Sequence, residues 1–421
     1  MSQHEERRES SARSVASPSR RTVLGAAAAG ISAAVLKGMG ADPTVGRKPS
    51  TDELRRFEGR IVTELGERAP FEKPKRLVGN LRPSSSSQTP LQDLRGIITP
   101  ADLHYERHHA GVPLVDPATY ELLVHGLVSS PKVFTLADLK RFPSVSVIRF
   151  LECSGNGSRG YNRISPKTSP QLLDGLTSTS NWIGVPLALV LREVGVKAEA
   201  TWFLAESYDG ALYSRSIPVS KAWDDALIAY GQNGEPLRPE NGYPARLFLP
   251  GWEGSTNIKW LRRLELSDRP FMTREETSKY TDPLPDGTAR MFSFDMDAKS
   301  VITFPAFPTV LPSKGFWEVT GLAWSGRGKI ARVEVSVDGG KSWKDAELED
   351  PVLPKCHTRF NYPWTWDGRD ALLMSRAIDE TGYVQPMLAD LKRVRGEGTA
   401  YHQNNVRAWR VQADGQVFFG N

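Results

Sequence analysis

Cys153 stands where an apolar segment gives way to a glycine-rich turn. The apolar residues of segment 145–151 predict a buried strand that leads directly into the thiol. Three glycines follow within residues 155–160, and glycine lets a backbone approach a bulky ligand closely. A thiol at the end of a strand lies at the rim of a sheet, where ligands commonly bind. The alternative is a small buried core cysteine, which composition alone favours. The assignment therefore depends on the residues that accompany the thiol.

Several polar segments accompany Cys153 in a fixed order along the chain. They are Arg107-His108-His109, Asp116-Pro117 with Tyr120, Asn181-Trp182 with Gly184 to Leu187, Asn241 to Gly251, and Gly254-Ser255 with Lys259-Trp260-Leu261. With the Cys153-x-Gly155-Asn156 motif, these segments resemble the sulfite oxidase family of molybdopterin enzymes over roughly residues 95 to 415. Each segment alone is a weak signal, but six in register make the resemblance specific.

The resemblance implies that Cys153 supplies the single protein thiolate to molybdenum held by a pterin dithiolene. Soft sulfur ligands suit a metal that changes oxidation state. Arg159 and Arg149 are the cations that we expect to favour the thiolate form. Cys356, in a loop of the C-terminal part, is expected to be a non-ligand. Cys356-His357 as a metal pair lacks further ligands at a useful spacing.

The cofactor's phosphate and polar pterin need cationic and amide donors. The residues at the family's cofactor-binding positions are Arg107, His109, Cys153, Asp209, Asn241, Arg246, Ser255 and Lys259. The implied catalytic residues are Cys153, Arg107 and Tyr280, the last at the position of the family's active-site tyrosine. For any one cation the alternative is a surface salt bridge, and for Tyr280 it is a half-buried loop residue. His108 and His125 are interpreted as structural.

Departures from the family pattern bear on the substrate. Sulfite oxidases tend to have an arginine pair after the ligand motif and later a tryptophan over the anion pocket, whereas this chain has Gly157-Ser158-Arg159 and no tryptophan in 169–174. The family's C-terminal active-site arginine has no clear match near 401–405, and Asn241 replaces a histidine. These features predict a wider, less cationic pocket mouth, as in the sulfane dehydrogenase branch of the family. That branch oxidises sulfane sulfur on a carrier protein during thiosulfate oxidation.

The resemblance also implies partners. A c-type cytochrome subunit would accept the electrons, a sulfur-carrier protein would present the substrate, and the assembly would be a homodimer or heterotetramer. Two other functions remain open at this point. One is a sulfite dehydrogenase acting on free sulfite, and the other is an exported binding protein without chemistry. Retention of Cys153, Arg107 and Arg246 together argues against the latter.

The elements that must position these residues form two parts. Residues 95–288 mix short strands and helices without a βαβ rhythm, which predicts an α+β molybdopterin-binding domain. Strands are expected near 120–126, 133–136, 201–205 and 246–250, and helices at 136–141 and 187–194. Residues 289–421 alternate apolar and polar residues around tight turns, which predicts an all-β immunoglobulin-like sandwich. In the resembled family this domain mediates dimerisation.

The N-terminal segment is interpreted as targeting sequence rather than fold. Arg20-Arg21 ahead of an Ala/Gly-rich apolar core predicts a twin-arginine signal over residues 1–41 and a periplasmic enzyme. That core, about a dozen residues, is short of the ~20 that span a bilayer, so no membrane anchor is expected. Residues 42–94 predict an extended Pro/Ser-rich arm with one short helix at 51–64 and a polar run, Ser84 to Ser87, that nothing buries.

Composition excludes other classes of function. Among 421 residues, 54 are basic and 49 acidic, a formal charge of +5 that gives no reason to expect a nucleic-acid partner. The two cysteines lie far apart and one is expected to bind metal, so a structural disulfide is not expected. No Cys-x-x-Cys-His motif occurs, so we expect no haem in this chain.

Replacing Arg20 and Arg21 together by Lys should leave unprocessed precursor in the cytoplasm, because the export machinery reads the arginine pair. Fractionation and immunoblotting of cells expressing either form measure this. The cytoplasmic precursor should still be folded and carry its cofactor. Normal processing and export of the double variant would contradict the twin-arginine interpretation.

Overall fold

The computed structural model describes residues 64–79, 81–161 and 164–420. The predicted signal segment and the predicted helix at 51–64 lie outside these residues, apart from Glu64 at the end of the latter. Residues 69–421 form one unit, and residues 64–68 belong to a separate N-terminal unit whose described residues are exposed. In the described ranges, no helix is long and apolar enough to cross a membrane.

The strands of the N-terminal part are short and are numbered in chain order. They are β1 (Leu77–Val78), β2 (Ser86–Gln88), β3 (Glu106–Arg107), β4 (Glu121–Gly126), β5 (Lys132–Thr135), β6 (Val145–Glu152), β7 (Thr177–Pro186), β8 (Trp202–Ser207), β9 (Ser214–Pro218), β10 (Leu227–Gln232), β11 (Glu235–Pro236), β12 (Arg246–Phe248), β13 (Leu261–Ser267), β14 (Asp282–Pro283) and β15 (Ala289–Arg290).

The C-terminal strands and the α-helices complete the fold. The strands are β16 (Lys299–Phe304), β17 (Gly315–Trp324), β18 (Ile330–Ser336), β19 (Lys344–Asp345), β20 (Glu347–Leu348), β21 (Thr358–Trp366), β22 (Ala371–Asp379), β23 (Ala408–Val411) and β24 (Val417–Phe419). The helices are α1 (Leu136–Arg141), α2 (Pro170–Asp174), α3 (Leu187–Val194), α4 (Val219–Asp224), α5 (Arg274–Ser278) and α6 (Leu388–Arg395). Short 3-10 turns lie at Leu91–Asp93, Ala101–Leu103, Ser158–Tyr161, Pro239–Asn241 and Gly254–Thr256.

Local sequence explains where the predicted helices begin and end. Thr135 caps the start of α1 through a reciprocal capping box with Asp138. The backbone becomes extended at Phe142, the residue before Pro143, and the helix ends there. Helix α3 buries its apolar face and ends at Gly195, whose φ of 66° is left-handed and therefore suits glycine. Both helices lie where their patterns predicted them.

Two five-stranded sheets form the molybdopterin-binding part predicted from the sequence. One has the order β5-β4-β13-β8-β9, in which β4 and β13 are parallel and the other pairs antiparallel. The other has the order β11-β10-β7-β6, with β12 also paired to β10. Strand β6 carries the chain to Cys153 and pairs with β7 along its whole length. One mixed sheet and one antiparallel sheet, together with short helices, confirm the predicted α+β class.

The C-terminal part is the predicted two-sheet sandwich. A four-stranded sheet, β16-β17-β21-β20, faces a five-stranded sheet, β19-β18-β22-β23-β24. Buried aromatic residues from both sheets, including Phe360, Trp364 and Trp409, fill the core between them. The prediction had no helix here, but α6 is present and buries Leu391.

The arm prediction is wrong for one stretch. Ser86–Gln88 is not a solvated polar run, because it forms the middle strand of a sheet with β1 and β3, and Ser87 is 4% exposed. Strands on both sides pair with the backbone of this segment, so a polar segment is buried without apolar side chains. This strand brings the arm beside Arg107.

A buried carboxylate joins the two parts of the fold. Glu152, fully buried at the end of β6, accepts hydrogen bonds from Lys299 Nζ at 2.6 Å and from Trp324 Nε1 at 2.7 Å. Both donors belong to the sandwich, and a third, Asn156 Nδ2 at 2.9 Å, belongs to the turn after Cys153. A buried charge with several donors fixes its neighbours strongly, since losing one donor leaves it poorly compensated.

Lys299→Met should therefore lower the free energy of unfolding by about 3–5 kcal/mol, because it leaves the buried Glu152 charge without its cation. The matched control is Lys132→Met, whose partner Glu193 is exposed, and it should cost no more than about 1 kcal/mol. Urea unfolding followed by tryptophan fluorescence measures both. Equal losses in the two variants would show that the Glu152 pair does not lock the structure.

Candidate functional site

The two N-terminal sheets and the loops between them line a partly open cavity. Cys153 lines it, directly beyond the end of β6. The structure brings all the predicted site residues to this one cavity: Arg107, His109, Cys153, Asp209, Asn241, Arg246, Ser255, Lys259 and Tyr280. Their juxtaposition is observed, whereas their individual roles toward a cofactor stay predictions.

The cation that acts on the Cys153 thiol is not one of the two that the sequence predicted. Burial raises the pKa of the thiol, while the Gly155 N–H and the nearby Arg107 oppose that rise. Arg107, rather than the predicted Arg149 or Arg159, is the cation that acts on it most strongly. Arg149 instead acts on Cys356. A thiolate at position 153 therefore needs a positive partner in the cavity, which a metal ion would supply.

Two buried cations in the cavity have no carboxylate partner among the described residues. Arg246, 2% exposed, donates to the Asn241 carbonyl at 2.9 Å and the Asn257 carbonyl at 3.0 Å, and its Nε has no partner. Burial lowers its pKa to about 10. Lys259 Nζ contacts the Glu240 carbonyl at 3.0 Å and His108 Nδ1 at 2.9 Å, and burial holds its pKa well below the usual value.

These cations provide a test of whether a molybdopterin cofactor fits. Isolated buried charge is costly, and an anion placed beside it offsets that cost. The cavity combines a thiol with Arg246 and Lys259, and so offers soft and cationic groups to one ligand. A pterin dithiolene with a phosphate is such a ligand, so the residues present fit the group. In the ranges that the structure describes, no three His, Cys, Asp or Glu side chains gather to hold a metal ion by themselves.

Other predicted residues shape the walls through contacts within the protein. Asp209 accepts from Ser207 Oγ at 2.7 Å and from the Tyr213 N–H at 3.0 Å, which fixes the turn after β8. The Asn241 side chain donates to Gln232 Oε1 at 3.0 Å. The backbone carbonyl of Asn241 accepts from Arg246. Ser255 Oγ accepts from Arg215.

Tyr280 and His109 form a neutral hydrogen-bonded pair at the cavity wall. The phenol oxygen lies 3.0 Å from His109 Nε2. Burial lowers the pKa of His109 to about 3, with Arg107 and the exposed Lys279 and Arg274 contributing. Burial likewise raises the pKa of Tyr280. Near neutral pH the phenol therefore keeps its proton, and the imidazole is uncharged.

Some residues at the cavity were not predicted. Tyr105, His104 and Tyr213 line it, and His109 stacks on Tyr213 at 4.7 Å. The signal available for Tyr105 was only its position two residues before Arg107. His108, interpreted as structural, lines the cavity and bridges Glu106 Oε2 at 2.7 Å to Lys259 at 2.9 Å.

Gly157 and Ser158, where the sequence predicted a wider pocket mouth, do not line the cavity. The Gly157 carbonyl accepts from Arg407 Nη2 at 3.0 Å, and Arg407 pairs with the buried Asp174 at 3.1 Å. These contacts link the turn to a buried ion pair, and the width of the mouth stays a prediction.

Comparisons with known proteins agree with this geometry. Residues 109–275 match the family described as "Oxidoreductase molybdopterin binding domain", and residues 290–409 match "Mo-co oxidoreductase dimerisation domain". Mitochondrial sulfite oxidase of Rattus norvegicus is 30% identical over 80% of this chain and 66% of its own length, and that of Drosophila melanogaster is 31% identical over 83% and 68%. The chain thus spans about two thirds of these relatives.

A solved structure is similar over a larger share. A chain in the crystal structure of the sulfane dehydrogenase SoxCD from Paracoccus pantotrophus is 42% identical, with a TM-score of 0.84. The similarity covers 91% of this chain and 100% of that one.

Cys153→Ser should lower molybdenum content by at least about tenfold, because a hard hydroxyl replaces a soft thiolate. Changing a residue that only hydrogen-bonds to a metal ligand already lowers metal affinity about 10- to 100-fold, and the loss of the ligand itself should cost at least as much. Cys356→Ser is the matched control, since Cys356 is buried away from the cavity. Elemental analysis of both purified variants measures the effect. Similar molybdenum content in the two variants would show that Cys153 is not the ligand.

Proposed function

This chain belongs to the sulfite oxidase family of molybdopterin oxidoreductases, and on that premise we propose that it oxidises sulfane sulfur bound to a carrier protein. Oxygen comes from water, and a c-type cytochrome partner accepts the electrons. The observation that carries this proposal is the similarity to a sulfane dehydrogenase chain over 91% of the present one. The cavity around Cys153 gives that similarity a chemical site.

The bound molybdopterin supplies the redox metal, and the protein supplies position and charge. Cys153 would hold the metal through its thiolate, and Arg246 and Lys259 would neutralise the anionic groups of the cofactor. If His109 Nε2–H is the donor in its 3.0 Å contact with Tyr280, the single phenol proton would be free to donate a hydrogen bond to the oxygen that reacts. Arg107, the cation that acts on Cys153, completes the catalytic set.

Exposed cations near His109 suit an anionic substrate. Lys279 and Arg274 lie close enough to act on His109, and Arg274 is also paired with Glu275. Long side chains of this kind attract an anion or an acidic protein segment from solution. A carrier-bound sulfur group gains binding energy from contacts between the two proteins as well as from the pocket. Free sulfite has only the pocket.

Free sulfite remains the second candidate substrate, which would make the protein a sulfite dehydrogenase. The specific observation in its favour is the cluster of Arg107, Arg246 and Lys259 around one cavity, together with the 30% identity to rat sulfite oxidase. Cations already bonded to carbonyl groups or committed to a cofactor are less available to a free dianion. This argument favours the carrier-bound substrate.

Location and assembly belong to the same proposal. Arg20-Arg21 and the apolar segment after them support export to the periplasm by the twin-arginine route. That route moves folded proteins and so suits an enzyme that receives its cofactor in the cytoplasm. Similarity of residues 290–409 to a dimerisation domain supports a homodimer or a heterotetramer with the cytochrome subunit.

The specificity constant for carrier-bound sulfane sulfur should exceed that for free sulfite by about ten- to a hundredfold, the value of one charge-assisted contact of about 1.5–3 kcal/mol. Cytochrome-linked steady-state assays at matched ionic strength measure both constants, with Cys153→Ser as the blank. Efficient turnover of free sulfite and poor turnover of the carrier would make the protein a sulfite dehydrogenase. Turnover of neither by fully loaded protein would favour a binding protein without chemistry.

A further inference from the structure

Arg215, at the second residue of β9, is a fully buried cation that the predicted site did not include. Its Nε donates to Glu276 Oε1 at 2.9 Å, and its Nη2 donates to Glu253 Oε1 at 3.1 Å. Its Nη1 donates to Ser255 Oγ, which lines the cavity. Each nitrogen of the guanidinium therefore has a partner, and two carboxylates compensate its charge.

The guanidinium also contacts the site through Tyr280. Its central carbon lies 4.9 Å from the centroid of the Tyr280 ring, within the range of a cation–π interaction. The other ring neighbours of Tyr280 are Tyr401 at 5.0 Å, and Tyr213 and His109, each at 6.4 Å. Arg215 is thus the charged group that packs on this phenol.

Glu276 connects the same guanidinium to the chain that carries Tyr280. Its Oε2 closes the capping box of α5 by accepting from the Thr273 N–H at 2.8 Å, while its Oε1 accepts from Arg215. Helix α5 ends at Ser278, two residues before Tyr280. A single carboxylate therefore couples the start of this helix to the cation beneath the ring.

Tyr280 needs such an anchor because of its backbone. Its φ is +41°, a left-handed conformation that is unfavourable for a bulky side chain. Residues held in this way persist only when their surroundings fix them. The contacts of Arg215 with the ring and with Glu276 are two such constraints from one side chain.

We propose that Arg215 is a positioning residue for the reaction, acting through Tyr280. It holds the phenol at the distance from His109 that lets the hydroxyl donate into the cavity. The inference rests on the proposed function, in which Tyr280 acts on the substrate. Glu253 is the second carboxylate that accepts from Arg215. Burial raises the pKa of Glu253, but Arg215 and His402 bring it below the usual value.

A double-mutant cycle tests the proposal on the full holoenzyme. Arg215→Lys keeps the charge but loses the planar fork that reaches Glu276 and Glu253 together. In the wild-type background it should lower kcat by about 10- to 100-fold, the cost of a misplacement near 1 Å, with KM changed less than about threefold. In a Tyr280→Phe background, where the ring has no hydroxyl to place, it should change kcat less than about threefold.

The matched control is Arg407→Lys, another buried arginine that pairs with a carboxylate, Asp174 at 3.1 Å. Because it contacts neither Tyr280 nor the cavity, its effect on kcat should be the same in both backgrounds. Equal effects of Arg215→Lys in both backgrounds would overturn the proposal and leave Arg215 a structural residue.

A crystal structure of the Arg215→Lys variant gives a reading independent of turnover. The phenol should move away from His109, and an unchanged 3.0 Å contact would also overturn the proposal. If Arg215→Lys does not fold, Glu276→Gln takes its place in the same cycle and crystal structure, because it weakens the anchor and leaves an amide oxygen for Arg215. Unchanged kcat in Tyr280→Phe alone would refute the role of Tyr280 in the proposed function rather than the anchoring by Arg215, which the crystal structure tests separately.

Discussion

The rest of the structure depends on the buried Glu152 carboxylate. It lies one residue before Cys153 and takes its donors from the sandwich, through Lys299 and Trp324, and from the cysteine turn, through Asn156. The thiol is therefore positioned by both parts of the fold and not only by the strand that leads to it. Because a buried charge tolerates little loss of its partners, the C-terminal domain is as much a part of the site as the sheets that line it.

The same principle recurs around the site. Asp174 with Arg407, and Arg215 between Glu253 and Glu276, are further buried ion pairs. They fix segments that have little regular structure, such as the turn after Cys153. Apolar packing is non-directional, whereas a bidentate guanidinium defines both distance and orientation. A polar shell of this kind suits loops whose side chains must point at one ligand.

Much of the fold and site could be predicted from the sequence, for identifiable reasons. Helices α1 and α3 carry their own caps, β6 is an apolar segment, and β17 alternates apolar and polar residues, so local pattern sufficed. Cys153, Arg246 and Lys259 were found because they lie within motifs. The burial of Ser87 could not be predicted, since it depends on a partner strand at Glu106–Arg107. The buried turn at Gly157 depends equally on Arg407, which is distant along the chain.

The absence of carboxylate partners for Arg246 and Lys259 among the described residues has a consequence for the protein before it binds its cofactor. A ligand that binds only the folded chain lowers the fraction of time that the chain is open, in proportion to its occupancy. The anion that neutralises these cations is such a ligand. A chain without this ligand would therefore open more often, and proteases that cleave open states would act on it faster than on a loaded chain.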